Sequence, residues 1–417
     1  MRNIFKIALR NMTRYKRRTI LTSMLIILGV TMVVLFSGLA GSVKSMMIGI
    51  ITDSNLGHLQ IHKRGYVSSI DTLPLNLNMN GEAYQNAAAV LDRDPGIESH
   101  APRLKLGAVL SNFAESTNVR LTAVDPAKEP VVCPGLASRL LGASEAIQGP
   151  LLEQGQIIIP QKVANGIGIK PGDTVVLVAT NRDGSVNGMQ FTVSRLIEDI
   201  MGPSGKDAYM HIDDARSLLR TEKGEVSEIV VRLRSCADLD QASKDLAAAF
   251  GGFKNTRGKP AFEVHTWADL SPFASIANMI DVLIITVKIV MIAIVLISVL
   301  NVMLMSVFER IREIGTIAAM GTPPGKILAL FVAEGFCLGL LGSVAGIFLG
   351  IAGLLAIKTS HVTFSFGRMD NLILRPEINV TELALIAAMV LAASALAALQ
   401  PAWKASRMEP VDALGHV

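Results

Sequence analysis

Four long apolar runs constrain this chain more than any other feature, at roughly 20–43, 276–308, 327–357 and 383–400 of its 417 residues. About 20 consecutive apolar residues carry a helix across a hydrocarbon core of ~30 Å, and each run is near or beyond that length. Half of all residues are hydrophobic, only 18% are charged and the mean hydropathy is +0.45. With the apolar residues clumped in this way, the composition describes membrane spans joined to a water-facing part. Aromatic residues make up 5% and the net charge is only +4, which argues against the basic, aromatic-interleaved surface of a nucleic-acid binder.

Orientation follows from charge. Arg2, Lys6, Arg10, Arg14, Lys16, Arg17 and Arg18 precede the first run with no acidic residue among them, which places segment 1–19 in the cytosol. A cleaved signal peptide is the competing reading, because Gly38 and Ala40 make a passable small-residue site. The run is too long for a signal h-region and three more follow, so a retained helix is favoured. Lys404 and Arg407 then fit a cytosolic tail at 401–417. Both termini are expected inside, with 44–275 and 358–382 outside.

The second run, 276–308, is too long for a bilayer: as a helix it measures about 50 Å at 1.5 Å per residue. If the inner boundary lies near Phe308, the outer one falls near Ile289, Lys288 snorkels at the interface and Asp281 lies beyond it. Asp281 and Lys288 are seven apart and share a helix face, so an intramembrane ion pair between them is the functional alternative. The simpler reading is a helix continuing out of the membrane, a rod able to transmit force. In the third run Gly342, Gly346 and Gly350 recur every fourth residue, a stripe that lets another helix approach closely.

Residues 44–275 suffice for one or two packed subdomains. Strand patterns occur at Gly57–His62, Leu104–Leu110, Val119–Val124, Gln156–Pro160, Thr174–Val178, Phe191–Ile197 and Ile229–Leu233, and helical ones at Glu82–Leu91, Asp213–Leu219 and Leu239–Phe250. The mixture reads as an α+β domain. Cys133 and Cys236 allow either a disulfide or two isolated thiols. No HExxH or paired-cysteine spacing suggests a metal, and no GxSxG suggests a hydrolase.

ATP hydrolysis of the usual kind needs GxxxxGK[ST] between a strand and a helix. Gly321–Lys326 is one residue short and lies between helices, and Gly252–Lys259 has the wrong spacing with Pro260 after the lysine. Catalytic, cofactor and metal sites are therefore not expected in these residues.

Between the second and third runs, the segment 309–326 opens with Glu309, Arg310, Ile311, Arg312, Glu313, Ile314, Gly315, Thr316, Ile317, Ala318, Ala319, Met320 and Gly321. Ile311, Ile314, Ile317 and Met320 recur every third residue and the charges lie largely off that stripe, which predicts a short amphipathic helix stopped by Gly321 and Pro323–Pro324. Such a helix lies either on the membrane surface or in a groove of a partner protein.

These residues resemble the coupling-helix signature of the FtsX-like permease superfamily of ABC transporters. Ala8–Asn11 with Lys16–Thr19 resembles that family's N-terminal amphipathic entry to the first span, which implies an amphipathic helix over 1–19, and Pro401–Leu414 resembles its tail. Asn55–His62 with Gly65–Tyr66 looks like the domain start of lipoprotein-releasing, Lol-type permeases, whereas the coupling segment and tail look at least as much like MacB-type exporters. The resemblance covers the whole chain and implies four spanning helices with an α+β extracytoplasmic domain of MacB/Lol type, in a bacterial inner membrane. It implies a non-enzymatic permease subunit coupled through Glu309, Arg310, Arg312, Glu313, Ile314, Gly315, Ile317, Met320 and Gly321 to two copies of a separate ABC ATPase subunit, which binds the ATP and Mg. A second permease copy or paralogue completes the dimer among membrane lipids, with a periplasmic adaptor or lipoprotein carrier as a further partner. The expected activity is mechanotransmission that extracts lipoproteins from the outer leaflet. MacB-type tripartite efflux of drugs, peptides or other amphiphiles is the alternative, and FtsX-like signalling to a cell-wall hydrolase the second alternative.

Overall fold

The computed structural model describes residues 6–408 except 9, 12, 13, 15, 142–149, 199–205, 236–238, 256, 361, 362, 367, 368, 375 and 377. Arg2, Leu9, Cys236 and the tail from 409 onward lie outside the described residues. The chain divides into two compact units, one formed by Met1–Ser45 with Ala277–Val417 and the other by Met46–Ile276.

Among the described residues four helices are long and apolar enough to cross a membrane. They are α1 (Lys16–Ile51), α2 (Phe273–Glu309), α4 (Pro324–Thr359) and α5 (Val380–Ser406), with the short α3 (Ile311–Ala319) between α2 and α4. Of segment 1–19, residues 6–8, 10, 11, 14 and 16–19 are helical. The last helix runs past the expected limit at 400 and through Pro401, which is buried within it. A proline removes one helical hydrogen bond, and packing of Ala397, Ala398, Ala402 and Ala405 into the bundle core holds the helix together there.

The glycine stripe packs as one surface. A Cβ added at Gly342 would fall 2.4 Å from Ile26 Cγ2, at Gly346 2.7 Å from Val30 Cβ, and at Gly350 2.7 Å from Val34 Cβ. Ile26, Val30 and Val34 are themselves four apart on α1, so one knob of α1 fills each gap on α4. A second glycine face serves α5: Gly335 meets Ala398 and Gly339 meets Ser394. The alternative ion pair between Asp281 and Lys288 does not form, and Lys288, expected to snorkel, pairs instead. The two share a face of α2 but reach different helices, Asp281 pairing with Lys44 and Lys288 with Glu382. A lysine amine at apolar depth is stabilised more by a carboxylate on a neighbouring helix than by stretching to the interface.

In Met46–Ile276 nine strands form one sheet: β1 (Leu59–Lys63), β2 (Ile97–Ser111), β3 (Ser116–Val124), β4 (Gln156–Pro160), β5 (Thr174–Thr180), β6 (Val186–Ile197), β7 (Asp207–His211), β8 (Glu228–Leu233) and β9 (Phe262–Thr266). Sequence patterning alone does not reveal β7 and β9. The order β3-β7-β4-β6-β5-β2 closes on itself because β2 also pairs with β3. Beyond that closed ring, the first half of β2 pairs with β8, followed by β1 and β9. The 15-residue β2 therefore belongs to two lobes. Along Leu104, Leu106, Ala108 and Leu110 alternate residues point into the main core, as half-buried strands require. From His100 to Leu104 every residue is buried, because Ala101 faces a second core built on the helices Glu129–Val132 and Gly135–Ser138.

Candidate functional site

The segment after α2 is fixed to the bundle by a buried ion pair. Arg310, at the break between α2 and α3, donates through Nη1 to Glu334 Oε1 of α4 at 2.9 Å and through Nε to Glu313 Oε2 at 2.9 Å. Its guanidinium also lies 5.5 Å from the centre of the Phe331 ring, a cation–π distance. Asn11 Nδ2 donates to the same Glu334 oxygen at 2.6 Å, and Arg14 lies 3.5 Å from Glu313. The entry segment, α3 and α4 thus meet on one polar node. An isolated charge at this burial is costly, so the node holds only while each member keeps its partner.

The sequence-predicted coupling residues separate onto two faces. Arg310, Ile314 and Gly315 are buried against the bundle, and Glu313 and Ile317 are half-buried. With Ile7, Ile327, Leu330 and Phe331, Ile314 and Ile317 line a groove of about 540 Å³ whose rim carries Lys326. Glu309, Arg312, Thr316, Ala319, Met320 and Gly321 are exposed. The expected apolar stripe is only half right, since Met320 is 73% exposed. A repeat of three falls about 60° short of a full turn at each step, so by the third step Met320 points away from Ile311. Gly321 has φ +84°, a left-handed conformation that glycine adopts without strain and that ends the helix.

Sequence reasoning missed Glu334, Lys44 and Glu382, although a carboxylate inside an apolar run, as at Glu334, is itself a signal. It also missed a second charged node, in the large domain. Arg103 of β2 is fully buried and grips Glu129 with Nε at 3.1 Å and Nη2 at 2.5 Å, while Nη1 reaches Glu228 at 3.4 Å and the carbonyl of Asn55. Lys105 and His62 approach the other Glu228 oxygen at 3.1 and 3.5 Å. Burial opposes ionisation of Glu228, but Lys105, the adjacent His62 and Arg103 outweigh it and hold its carboxyl well below the usual carboxylate range.

Cys133 is a free thiol within this node, so the disulfide alternative fails on its side. Its sulfur accepts from Arg103 at 3.1 Å and donates to the Thr52 carbonyl at 3.7 Å, and burial pushes it up to about 11. Arg232 pairs with Asp53 at 2.7 Å. Three polar contacts therefore weld the turn Thr52–Leu56, which directly follows α1, to the sheet. Among the described residues no group of three or more His, Cys, Asp or Glu is placed to hold a metal ion.

Residues 19–249 match the MacB-like periplasmic core domain and residues 285–410 the FtsX-like permease C-terminal domain. The lipoprotein-releasing system transmembrane protein LolC of Xylella fastidiosa is 23% identical over 353 residues, covering 80% of this chain and 81% of that protein. The macrolide export ATP-binding/permease protein MacB 1/2 of Paracoccus denitrificans is 24% identical over 430 residues, covering 98% of this chain and 58% of that protein. The crystal structure of the periplasmic region of MacB from Actinobacillus actinomycetemcomitans aligns with 56% of this chain and 95% of its own, at 15% identity and a TM-score of 0.37. With four apolar helices, a domain of this kind between the first two and an FtsX-like C-terminal half, the chain belongs to the FtsX-like permease superfamily as an ABC transporter permease of the LolC/MacB family.

Proposed function

We propose that the chain is the permease subunit of a complex in which a separate ATPase subunit, present in two copies and holding ATP and Mg, drives the large domain by mechanotransmission, and that its cargo is lipoprotein drawn from the outer leaflet of the inner membrane. Both termini and α3 lie in the cytosol, and Met46–Ile276 lies outside. The observation that carries the coupling part is the two-sided α3. Its inner face is locked to α4 through Arg310 and Glu334, while Arg312, Thr316, Ala319 and Met320 are exposed. A push on that exposed face is delivered through the buried pair to the bundle instead of bending a loose loop. At the far end of α1, Arg103, Cys133 and Arg232 hold the turn Thr52–Leu56, so displacement of α1 acts directly on the sheet.

Thr316→Arg with Met320→Glu tests the coupling part: membrane insertion is retained and stimulation of the partner ATPase is lost. Unchanged stimulation removes α3 from the interface. The lipoprotein cargo is supported by the LolC relative, which matches along four-fifths of both chains, and by the Lol-like domain start at Asn55–His62. Reconstitution with a lipidated cargo and its unlipidated form decides it, and equal handling of the two excludes lipoprotein as the cargo. The MacB relative spans nearly all of this chain and supports adaptor-dependent export of amphiphiles as the second reading, which predicts transport only when a periplasmic adaptor is added.

A further inference from the structure

Two polar rungs cross the apolar bundle at the end where the chain leaves for the large domain. In the first, Lys44 Nζ of α1 donates to both carboxylate oxygens of Asp281 of α2, at 2.7 and 2.6 Å. In the second, Lys288 Nζ of α2 donates to Glu382 Oε1 of α5 at 2.5 Å, and the Ser37 hydroxyl of α1 donates to the same oxygen. Ser37 and Lys44 are seven apart on α1, and Asp281 and Lys288 are seven apart on α2. Seven residues make about two turns, or ~10.5 Å, so both rungs fall in register between helices whose chains run in opposite directions.

Among the described residues little else is buried along this half of α2. Its most apolar window is 17% buried, against 28–33% for the other three spanning helices. Between Ala277 and Val295 only Ile284 is buried. Lipid tails are as apolar as the helix, so its exposed residues Met279, Val282, Leu283, Ile285 and Ile289 supply no drive toward the bundle. Charge pairs do supply one, and of the four side chains Lys288 is the least exposed, at 14%.

We propose that Lys44, Asp281, Lys288 and Glu382 are positioning residues that form a two-rung latch, closing the seam between α1 and α2 and parting when α2 moves. The role of that movement rests on the mechanotransmission reading above; the latch itself does not. The charge order also selects the kind of motion. Sliding α2 by one rung in one direction brings Lys288 opposite Lys44. Sliding it the other way brings Asp281 opposite Glu382. Both slides set like charges together, so the seam yields by lateral parting and not by a ratchet along α1.

The test uses the full chain in lipid vesicles with neither ATPase subunit nor nucleotide, so that its outcome is independent of the coupling reading. Val33 of α1 is 4% exposed and lines a small void between α1, α2 and α5 beside Lys288 and Ile386. In a Val33→Cys variant, alkylation by N-ethylmaleimide at that peptide, followed by mass spectrometry, reports opening of the seam. We expect slow labelling with the native latch and labelling about tenfold faster, the factor for ~1.4 kcal/mol, with Asp281→Lys or Lys288→Glu. The swap Lys44→Asp with Asp281→Lys restores slow labelling. The isosteric Asp281→Asn, which removes charge without adding repulsion, gives an intermediate rate and serves if the reversals fail to insert. Unchanged labelling in Asp281→Asn and the reversals, or a swap as fast as its single reversal, overturns the latch.

Discussion

Arg310 and Glu334 form a 2.9 Å ion pair in which the two side chains are 6% and 5% exposed, joining the start of α3 to the third turn of α4. Removing one partner strands the other, a loss of roughly 3–5 kcal/mol for a buried pair. Glu334→Ala and Arg310→Ala should each lower the unfolding midpoint in detergent strongly, and the double variant should lose much less than their sum. Additive losses in the double-mutant cycle would show that the two residues do not act as a pair.

The glycine stripe gives two substitutions with different remedies. The three atoms nearest a Cβ at Gly342 all belong to the Ile26 side chain, whereas one at Gly346 also lies 2.9 Å from the Ile27 carbonyl oxygen. Overpacking of this kind costs about 1–3 kcal/mol. Ile26→Ala removes the 2.4 Å contact and should relieve part of the damage from Gly342→Ala, the Ile26 Cβ at 2.7 Å remaining, while Val30→Ala should relieve less of Gly346→Ala because the Val30 Cβ at 2.7 Å and the Ile27 carbonyl oxygen at 2.9 Å both remain. Thermal unfolding of the four variants checks the contrast.

The four spans were legible because lipid imposes a long apolar run on any helix that crosses it, and the large domain's main strands were legible from alternation, as in Leu104–Leu110. The strand β7 escaped because its pairing is parallel to the distant β3 and Asp207 and His211 dilute its apolar pattern. The short helix α3 was legible and its inward face was not. Which side of α3 is buried depends on Arg310 finding Glu334, 24 residues away. The same holds for Arg103 with Glu129 and Glu228, and for Lys44 with Asp281: a charge's partner on another element leaves no local trace.

Cys133 should be chemically quiet. Its thiol is buried and pushed up to about 11, and the thiolate is the reactive form. Maleimide at pH 7.5 should leave it unmodified in the folded chain and modify it once denaturant opens the domain. Rapid native labelling at the Cys133 peptide would contradict its place beneath Arg103.

Acid should unfold the large domain through Glu228. Its folded carboxyl titrates well below the usual carboxylate range, because Lys105, His62 and Arg103 outweigh its burial. A depressed carboxylate adds stability that is fully present above the unfolded value and lost as pH falls through the folded one. Between pH 7 and 5 its contribution should be flat, and below about 4.5 it should fall steadily. Glu228→Gln should be less stable at pH 7, since Lys105 loses its buried counter-charge, and should lose less on further acidification. The fluorescence of Trp267, which is buried in this domain, reports the unfolding in a Trp403→Phe background. Parallel pH profiles for the two proteins would place the acid-sensitive group elsewhere.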